Sequence, residues 1–182
     1  MLETLIANHC GPALAGIKSA STVTVFNDKI MNLDEKISRL NQELNKKDIY
    51  IKIMCRCSKS TLLMVYREKT LSRRLNDKEI KKFLSSLGYA SANTVDEYLD
   101  ILSKRLSRGK FPHEIGAFLG YPINDIYAFI NHRDAGCLMI GVWRVYSDKE
   151  VASKIFERYR KCTGAILCRL NRGQSLAQIF CT

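Results

Sequence analysis

The segments IYIKIMCRC (Ile49 to Cys57) and TLLMVYR (Thr61 to Arg67) decide the fold, because together they predict a β-hairpin. Residues 58–60, Ser-Lys-Ser, separate the two segments and suit a short hairpin loop. In the first segment Tyr50 and Lys52 alternate with isoleucines, which is typical of a half-buried antiparallel strand. The second segment is almost entirely apolar, and we therefore expect it to be a central strand.

Two more strands and about seven helices are predicted outside the hairpin. STVTVF (Ser21 to Phe26) and GCLMIGVWRVY (Gly136 to Tyr146) are rich in β-branched and aromatic residues, as strands are. The helical segments have apolar residues three or four positions apart. One of them begins with Thr94 and Glu97, which form a capping box, and is expected to end at Gly109.

These elements predict an α+β domain, in which a small, mainly antiparallel sheet of about four strands is covered by about seven helices. The length of 182 residues fits a single domain over residues 1–182 and allows a substantial core. No internal repeat or low-complexity linker indicates a domain boundary.

The segment HCGPALAGIKSA (His9 to Ala20) is expected to connect two short helices. The first helix would cover residues 2–9, and Pro12 suits the first turn of the second. Gly16 and Lys18 would then lie within the second helix, where a glycine costs about 1 kcal/mol relative to alanine.

The positive charge of the chain is large but spread out. Lysine and arginine number 29 against 18 acidic residues, which gives a net charge of +11. The two compact basic runs, Arg67 to Lys82 and Ser103 to Lys110, have apolar residues at helical spacing, which indicates solvated helix faces. A surface for phosphates or an acidic partner is the alternative, so nucleic acid is an open but not favoured partner.

The sequence predicts a cytoplasmic protein without a membrane segment. No apolar run approaches the ~20 residues that a membrane-spanning helix needs, and Glu3 stands where a signal peptide would be basic. The seven cysteines are scattered and odd in number, which favours reduced thiols. Cys55 and Cys57 have no matching second pair, and we expect no metal site there.

The segment FPHEIGAFLGYPINDIYAFI (Phe111 to Ile130) has the spacing of two short helices joined at Gly120. One hypothesis is a DNA-binding helix-turn-helix over residues 113–132. It would bury Ile126, Phe129 and Ile130 and present Asn124, Asp125 and Tyr127 to DNA. Asn124 can read adenine, but Asp125 would face phosphate, and recognition helices usually carry more positive charge. A purely structural helical corner is therefore favoured.

A second hypothesis is a thiol-dependent hydrolase. Cys10 would directly precede a helix whose dipole lowers its pKa, and its Cys-Gly-Pro-Ala context resembles that of papain-like peptidase nucleophiles. His113 would be the base, oriented by Glu114, Asp125 or Asn124. Against this, His113 is predicted at a helix start, whereas a papain-like histidine lies on a strand.

The third hypothesis, which we favour, is a non-enzymatic binding protein for a small anionic ligand, a cofactor or a protein partner. Its polar and aromatic anchors would converge in an otherwise apolar pocket. These anchors are His9, Lys18, His113, Glu114, Trp143 and Tyr146. His9 and His113 alone make a weak metal or haem site, because the sequence indicates no third ligand.

Three blocks of the sequence resemble a known but uncharacterised family of bacterial proteins, mostly from anaerobes, described as a domain of unknown function. The blocks are NHCGPALAGIKSA (residues 8–20), FPHEIGAFLGYPINDIYAFI (111–130) and GVWRVYSDKEVASKIFERYRKC (141–162). The first two contain the patterns H-C-x-P-x-L-A-G-I-K and H-E-I-G-x-F-L-G-Y-P, and the resemblance covers essentially the whole chain. It implies no established activity, cofactor or catalytic residue. Members are often encoded near flavodoxin-like or iron-related genes, which implies a link to redox or iron metabolism.

Overall fold

A three-stranded antiparallel sheet lies at the centre of the protein, in a computed structural model that describes residues 1–108, 111–133 and 135–181. The strands are β1 (Ala20–Phe26), β2 (Tyr50–Arg56) and β3 (Ser60–Tyr66). Their spatial order is β1-β3-β2, so β3 is central and pairs with both neighbours. The predicted hairpin of β2 and β3, with the more apolar strand in the middle, is confirmed.

Nine α-helices are present in the described ranges, and they cover the sheet. They are α1 (Leu2–Leu14), α2 (Leu33–Leu44), α3 (Glu68–Leu75), α4 (Lys78–Leu84), α5 (Val95–Leu106), α6 (Ile115–Phe118), α7 (Ile123–His132), α8 (Lys149–Asn171) and α9 (Leu176–Phe180). A short 3-10 turn (Asn45–Lys47) follows α2, and a π-helical turn (Ser85–Tyr89) follows α4. The protein is therefore an α+β fold, as predicted.

The sheet separates two apolar cores, because successive side chains of a strand point to opposite faces. On one face, Val23 and Leu63 pack with α1, α2, α8 and α9. On the other face, Met64 and Tyr66 pack with helices α3 to α7. Since α1 contacts both β1 and α8, these three elements meet at one edge of the sheet, where the candidate site lies.

The start of α5 is as predicted. The Thr94 hydroxyl accepts a hydrogen bond from the Glu97 N–H at 3.3 Å, and the Glu97 carboxylate accepts one from the Thr94 N–H at 3.2 Å. These two bonds form the capping box. Gly109, which was expected to end this helix, lies outside the described residues.

The predicted long strand over residues 136–146 is wrong. The structure instead has two strands of two residues each, β4 (Met139–Ile140) and β5 (Arg144–Val145), which pair with each other and not with the main sheet. A Cβ atom on Gly141 would lie 2.1 Å from Cε2 of Phe156. The turn between β4 and β5 can therefore press against α8 only because residue 141 is glycine.

The expected break between two N-terminal helices is also wrong. The helix α1 continues through Pro12 to Leu14. Pro12 has no N–H to donate to the carbonyl of Asn8, four residues earlier. Asn8 is exposed, so water can satisfy that carbonyl and the helix tolerates the proline.

Candidate functional site

Lys18 is positioned by the turn that ends α1, and not by a helix as the sequence had suggested. Gly16 has a φ of +74°, its N–H donates to the Ala13 carbonyl, and the Ile17 N–H donates to the Pro12 carbonyl. This is the hydrogen-bond pattern of a Schellman motif. The N–H of Lys18 also donates to the Pro12 carbonyl at 3.1 Å, which holds the turn against α1 before the chain enters β1.

The Lys18 side chain is buried without a counter-ion. Only 8% of the residue is exposed, and no hydrogen bond or ion pair within the described part of the chain involves its Nζ atom. The Nζ atom lies 5.5 Å from the centroid of the Tyr121 ring, within cation–π distance. Burial lowers the pKa of Lys18 to about 8, and the nearby Cys10 thiol opposes this only in part.

Lys18 lines a cavity of about 290 Å³ between α1, β1, α8 and the turn at Val142. No acidic residue lines it. Ser21 lines it too, and the hydroxyl of Ser21 is buried without a hydrogen-bond partner in the structure. The other polar residues of the lining are Asn8, His9, Tyr159, Arg160 and Thr163. We call this cavity the Lys18 cavity.

The exposed side of the Lys18 cavity carries His9 and Arg160. Arg160 donates two hydrogen bonds of 2.8 Å to the Glu157 carboxylate, and these bonds lower the pKa of Glu157 to about 2. Arg160 is thus already paired on the surface. Lys18 is the buried cation of the cavity that lacks such a partner.

Cys10 lies next to Lys18 but does not have the properties of a nucleophile. It is in the interior of α1, about two turns from the N-terminal end where a helix dipole would lower its pKa, and it is fully buried. Burial raises the pKa of its thiol to about 12, against the weaker opposing effect of the Lys18 charge. The expectation of a helix-start cysteine with a lowered pKa is therefore wrong.

His113 lines a second, mainly apolar cavity of about 420 Å³, and neither Cys10, His9 nor Lys18 lines that cavity. Its imidazole packs edge-on against Phe129, with ring centroids 5.2 Å apart. The structure thus places the predicted histidines at different cavities. A thiol hydrolase would require Cys10 to pair with His113. No hydrogen bond joins these two residues in the described part of the chain.

Asp125 is buried, although the sequence had suggested that it faces outward. Only 2% of the residue is exposed. Its carboxylate accepts hydrogen bonds from Trp143 Nε1 at 2.7 Å, from the Tyr146 N–H at 2.9 Å and from the Ser147 N–H at 2.8 Å. These three bonds hold the β5 end of the small hairpin against α7. Asp125 therefore has a structural role in the fold.

Glu114 is likewise engaged within the protein. Its carboxylate is buried and accepts hydrogen bonds from Arg105 Nε and from the Tyr89 hydroxyl. Burial, and the Glu114 charge after it, raise the pKa of Tyr89. Glu114 anchors the start of α6 to α5 and does not line the Lys18 cavity.

Trp143 and Tyr121 lie between the two cavities. Trp143 stacks on Tyr121, with ring centroids 5.2 Å apart, and packs edge-on against Phe156 at 4.5 Å. Trp143 lines the second cavity, whereas Phe156 lines the Lys18 cavity. The Tyr146 hydroxyl donates to the Arg133 carbonyl. Of the six predicted anchors, His9 and Lys18 line the Lys18 cavity, whereas His113 and Trp143 line the second cavity.

The helical corner of residues 113–132 has the predicted turn. Gly120 has a φ of +78°, and a Cβ on Gly116 would lie 3.1 Å from Ile126 Cγ1, so both glycines are where the corner needs them. Ile130, expected to be buried, is 40% exposed. The exposed residues of α7 are Asn124, Tyr127, Ile130, Asn131 and His132. None of these five residues is a lysine or an arginine, the residues that neutralise phosphates, and the exposed Arg133 follows directly after the helix.

Within the described ranges, no group of three or more His, Cys, Asp and Glu side chains could hold a metal ion. All seven cysteines are free thiols. No helix of residues 1–108, 111–133 or 135–181 is long and apolar enough to cross a membrane.

Four residues that line the Lys18 cavity were not predicted as site residues, although their spacing in the sequence indicates that they share one face of a helix. Phe156, Tyr159, Arg160 and Thr163 follow the spacing i, i+3, i+4, i+7 and so form one stripe of α8. This stripe faces α1, since a Cβ on Gly11 would lie 2.9 Å from Thr163 Oγ1. Ser21 had no comparable signal, because the sequence does not show that this serine of a strand is buried.

A comparison with protein-family models matched residues 6–180 to one described as "Protein of unknown function (DUF3793)". Neither a curated protein nor a solved structure matches the chain.

Proposed function

The chain belongs to the DUF3793 family of proteins of unknown function, and we propose that it is a non-enzymatic binding protein that holds a small anion in the Lys18 cavity. The observation that carries this proposal is the largely buried Lys18, whose ammonium group has no counter-ion in the described residues. A charge removed from water is unfavourable unless it is paired. A bound anion would supply the missing partner.

The lining of the cavity supports an anionic ligand. The lysine ammonium can donate hydrogen bonds, Ser21 in the cavity wall has an unpartnered hydroxyl, and no carboxylate of the lining would repel a negative charge. Thr163 contributes a second hydroxyl. These groups suit the oxygen atoms of a carboxylate or a phosphate.

The size of the cavity limits the ligand. Ligand pockets usually measure roughly 300–1,000 Å³, and the Lys18 cavity, at about 290 Å³, is just below the lower limit of that range. We therefore propose a small metabolite or an inorganic anion as the ligand. The net charge of +11 would attract such an anion over long distances.

We place this function in the cytoplasm. The support is the set of seven free cysteines, since exposed thiols such as Cys57 and Cys168 persist where the surroundings are reducing.

Thermal unfolding with increasing phosphate tests the proposal, with Lys18→Met as the variant and Lys36→Met as the matched control. Lys36 is exposed on α2, so its replacement removes the same charge without touching the cavity. We expect phosphate to raise the melting temperature of the wild type and of Lys36→Met, and to have a much smaller effect on Lys18→Met. Equal stabilisation of all three proteins would refute binding at Lys18.

A further inference from the structure

Among the described residues, Lys18 and Lys52 are the two lysines that are not exposed, and Lys18 is the one without a bonded partner. Lys52, for comparison, donates hydrogen bonds to Asp96 at 3.1 Å and to Asp100 at 2.9 Å, which keeps it charged. No carboxylate of the described residues contacts Lys18, and its Nζ atom borders an open cavity. An unpaired amine in a cavity is free to react with a ligand held there.

We propose that Lys18 captures a small oxo acid, a molecule with an aldehyde or ketone beside a carboxylate, as a Schiff base in the Lys18 cavity. This inference rests on the proposed function, because the carboxylate is what the cavity would first bind. It adds the chemical class of the ligand and a covalent step.

The reaction needs no oxidant or reductant. The lone pair of Nζ forms a bond to the carbonyl carbon while the carbonyl π electrons move to oxygen, and a proton passes from nitrogen to that oxygen. The carbinolamine then loses its oxygen as water, which takes the second nitrogen proton, and a C=N bond remains. One C=O and one NH₂ thus become one C=N and one water molecule.

The groups around Lys18 suit these proton transfers. His9 lines the same cavity from α1 and has an imidazole that can give and accept protons. Tyr159 lines it from α8, and burial raises the pKa of its hydroxyl, so the hydroxyl stays protonated as a donor. The Cys10 thiol also stays protonated because burial raises its pKa, so a thiolate does not compete for the carbonyl.

The charged and titratable groups facing Lys18 favour reaction as the pH rises. They are Cys10 and His9 from α1, Tyr121 from the helical corner, and Tyr159 and Arg160 from α8. None of them is a carboxylate that would hold the ammonium charged. With a pKa of about 8, Lys18 has on the order of a hundredfold more neutral amine near pH 7 than an exposed lysine.

Reductive trapping tests the inference in the wild-type protein. Glyoxylate and sodium cyanoborohydride are added at pH 8, and peptide mass spectrometry then measures labelling at each lysine. We expect Lys18 to be labelled at least about tenfold faster than the exposed Lys36. Its neutral fraction in the ligand-free protein is on the order of a hundredfold larger, and the bound carboxylate, which raises the pKa of Lys18, removes part of that advantage. Labelling at Lys18 should also fall when phosphate, which would occupy the same cavity, is added in excess. Because both sites are compared in one folded protein, the result does not depend on the folding of a variant.

The outcomes separate the inference from the proposed function. Equal labelling of Lys18 and Lys36, with phosphate still stabilising the protein through Lys18, would overturn Schiff-base capture and leave anion binding intact. Equal labelling without any Lys18-dependent effect of phosphate would overturn both. Fast labelling of Lys18 that phosphate suppresses would support both.

Discussion

The Nζ atom of Lys18 lies 5.5 Å from the centre of the Tyr121 ring, and this contact joins the N-terminal turn to the helical corner. Tyr121 is itself held in place. Its hydroxyl donates to the Val142 carbonyl at 3.0 Å, and its own carbonyl accepts a 2.5 Å hydrogen bond from Arg74. The corner that looked like a DNA-reading motif therefore supports the Lys18 cavity.

Replacing the Tyr121 ring should weaken anion binding. A cation–π contact stabilises the charged lysine by about 0.5–2 kcal/mol, so Tyr121→Leu should reduce phosphate affinity several-fold. Tyr121→Phe is the matched control, because it keeps the ring and loses only the hydrogen bond to Val142. Calorimetric titration with phosphate measures the affinities. If Leu and Phe at this position have the same effect, the ring does not act on Lys18.

Removing the buried charge should stabilise the protein in the absence of ligand. The folded state lowers the pKa of Lys18 from 10.5 to about 8, so folding is penalised while the lysine is charged. The penalty is full below pH 8 and disappears as the pH rises from about 8 to 10.5, because the unfolded chain then binds more protons than the folded one. At neutral pH we expect Lys18→Met to gain up to about 3 kcal/mol in the free energy of unfolding.

Urea denaturation of the wild type and Lys18→Met at pH 7 and at pH 10 measures this gain. It should shrink at the higher pH. A Lys18→Met protein that is less stable than the wild type at pH 7 would contradict the unpaired state of the lysine.

Loss of the Asp125 carboxylate should release the small hairpin. Asp125→Ala leaves the Trp143 N–H and two backbone N–H groups without their acceptor. Only the Trp143 bond is fully buried, and the two backbone N–H groups are partly buried. Since a buried unsatisfied donor costs about 1–3 kcal/mol and a partly hydrated one less, we expect a loss of about 2–4 kcal/mol in the free energy of unfolding. Trp143 is the single tryptophan of the chain, so its fluorescence reports directly on the hairpin. An unchanged emission maximum would count against this structural role of Asp125.

Two glycine-to-alanine substitutions should have opposite effects. A Cβ at Gly141 would meet Phe156, which also lines the Lys18 cavity, whereas a Cβ at Gly164 in α8 would meet nothing within 4 Å. We expect Gly141→Ala to destabilise by about 1–3 kcal/mol through overpacking. Gly164→Ala should stabilise by about 0.5–1 kcal/mol through helix propensity. Thermal unfolding of both variants checks the signs, and a tolerated Gly141→Ala would mean that the β4–β5 turn is not packed as described.

Cys10 should be the slowest thiol of the folded protein. It is buried with a raised pKa, whereas Cys57 and Cys168 are exposed. Alkylation with iodoacetamide near neutral pH, followed by peptide mapping, should label the exposed pair first and Cys10 only when the protein unfolds. Labelling of Cys10 as fast as the exposed thiols would revive the hydrolase hypothesis.

The main sheet and the long helices could be predicted from the sequence because local patterns determine them. The alternation in β2, the apolar run of β3 and the Thr94–Glu97 capping box are all read within a few residues. The β4–β5 turn could not be predicted in this way. The turn depends on a tertiary contact between Gly141 and Phe156. The apolar residues on either side of Gly141 are typical of a continuous strand.

The site was predicted only in part for a similar reason. His9 and Lys18 were identified as unusual residues, and the structure brings them to one cavity. His113 and Trp143 were grouped with them, but they line the other cavity. Which cavity a residue lines depends on how the helical corner and the small hairpin pack around β1, and no local pattern encodes that packing.

The most direct test of the central claim is the proton uptake that accompanies anion binding. Sulfate, whose charge does not change in this range, is titrated into the protein at pH 8.5 by calorimetry in two buffers with different ionisation heats. Because a bound anion raises the pKa of Lys18 above its value of about 8, the wild type and Lys36→Met should take up a proton on binding. Lys18→Met should neither bind nor take up a proton. Sulfate binding with no proton uptake, or equal binding by Lys18→Met, would contradict the account.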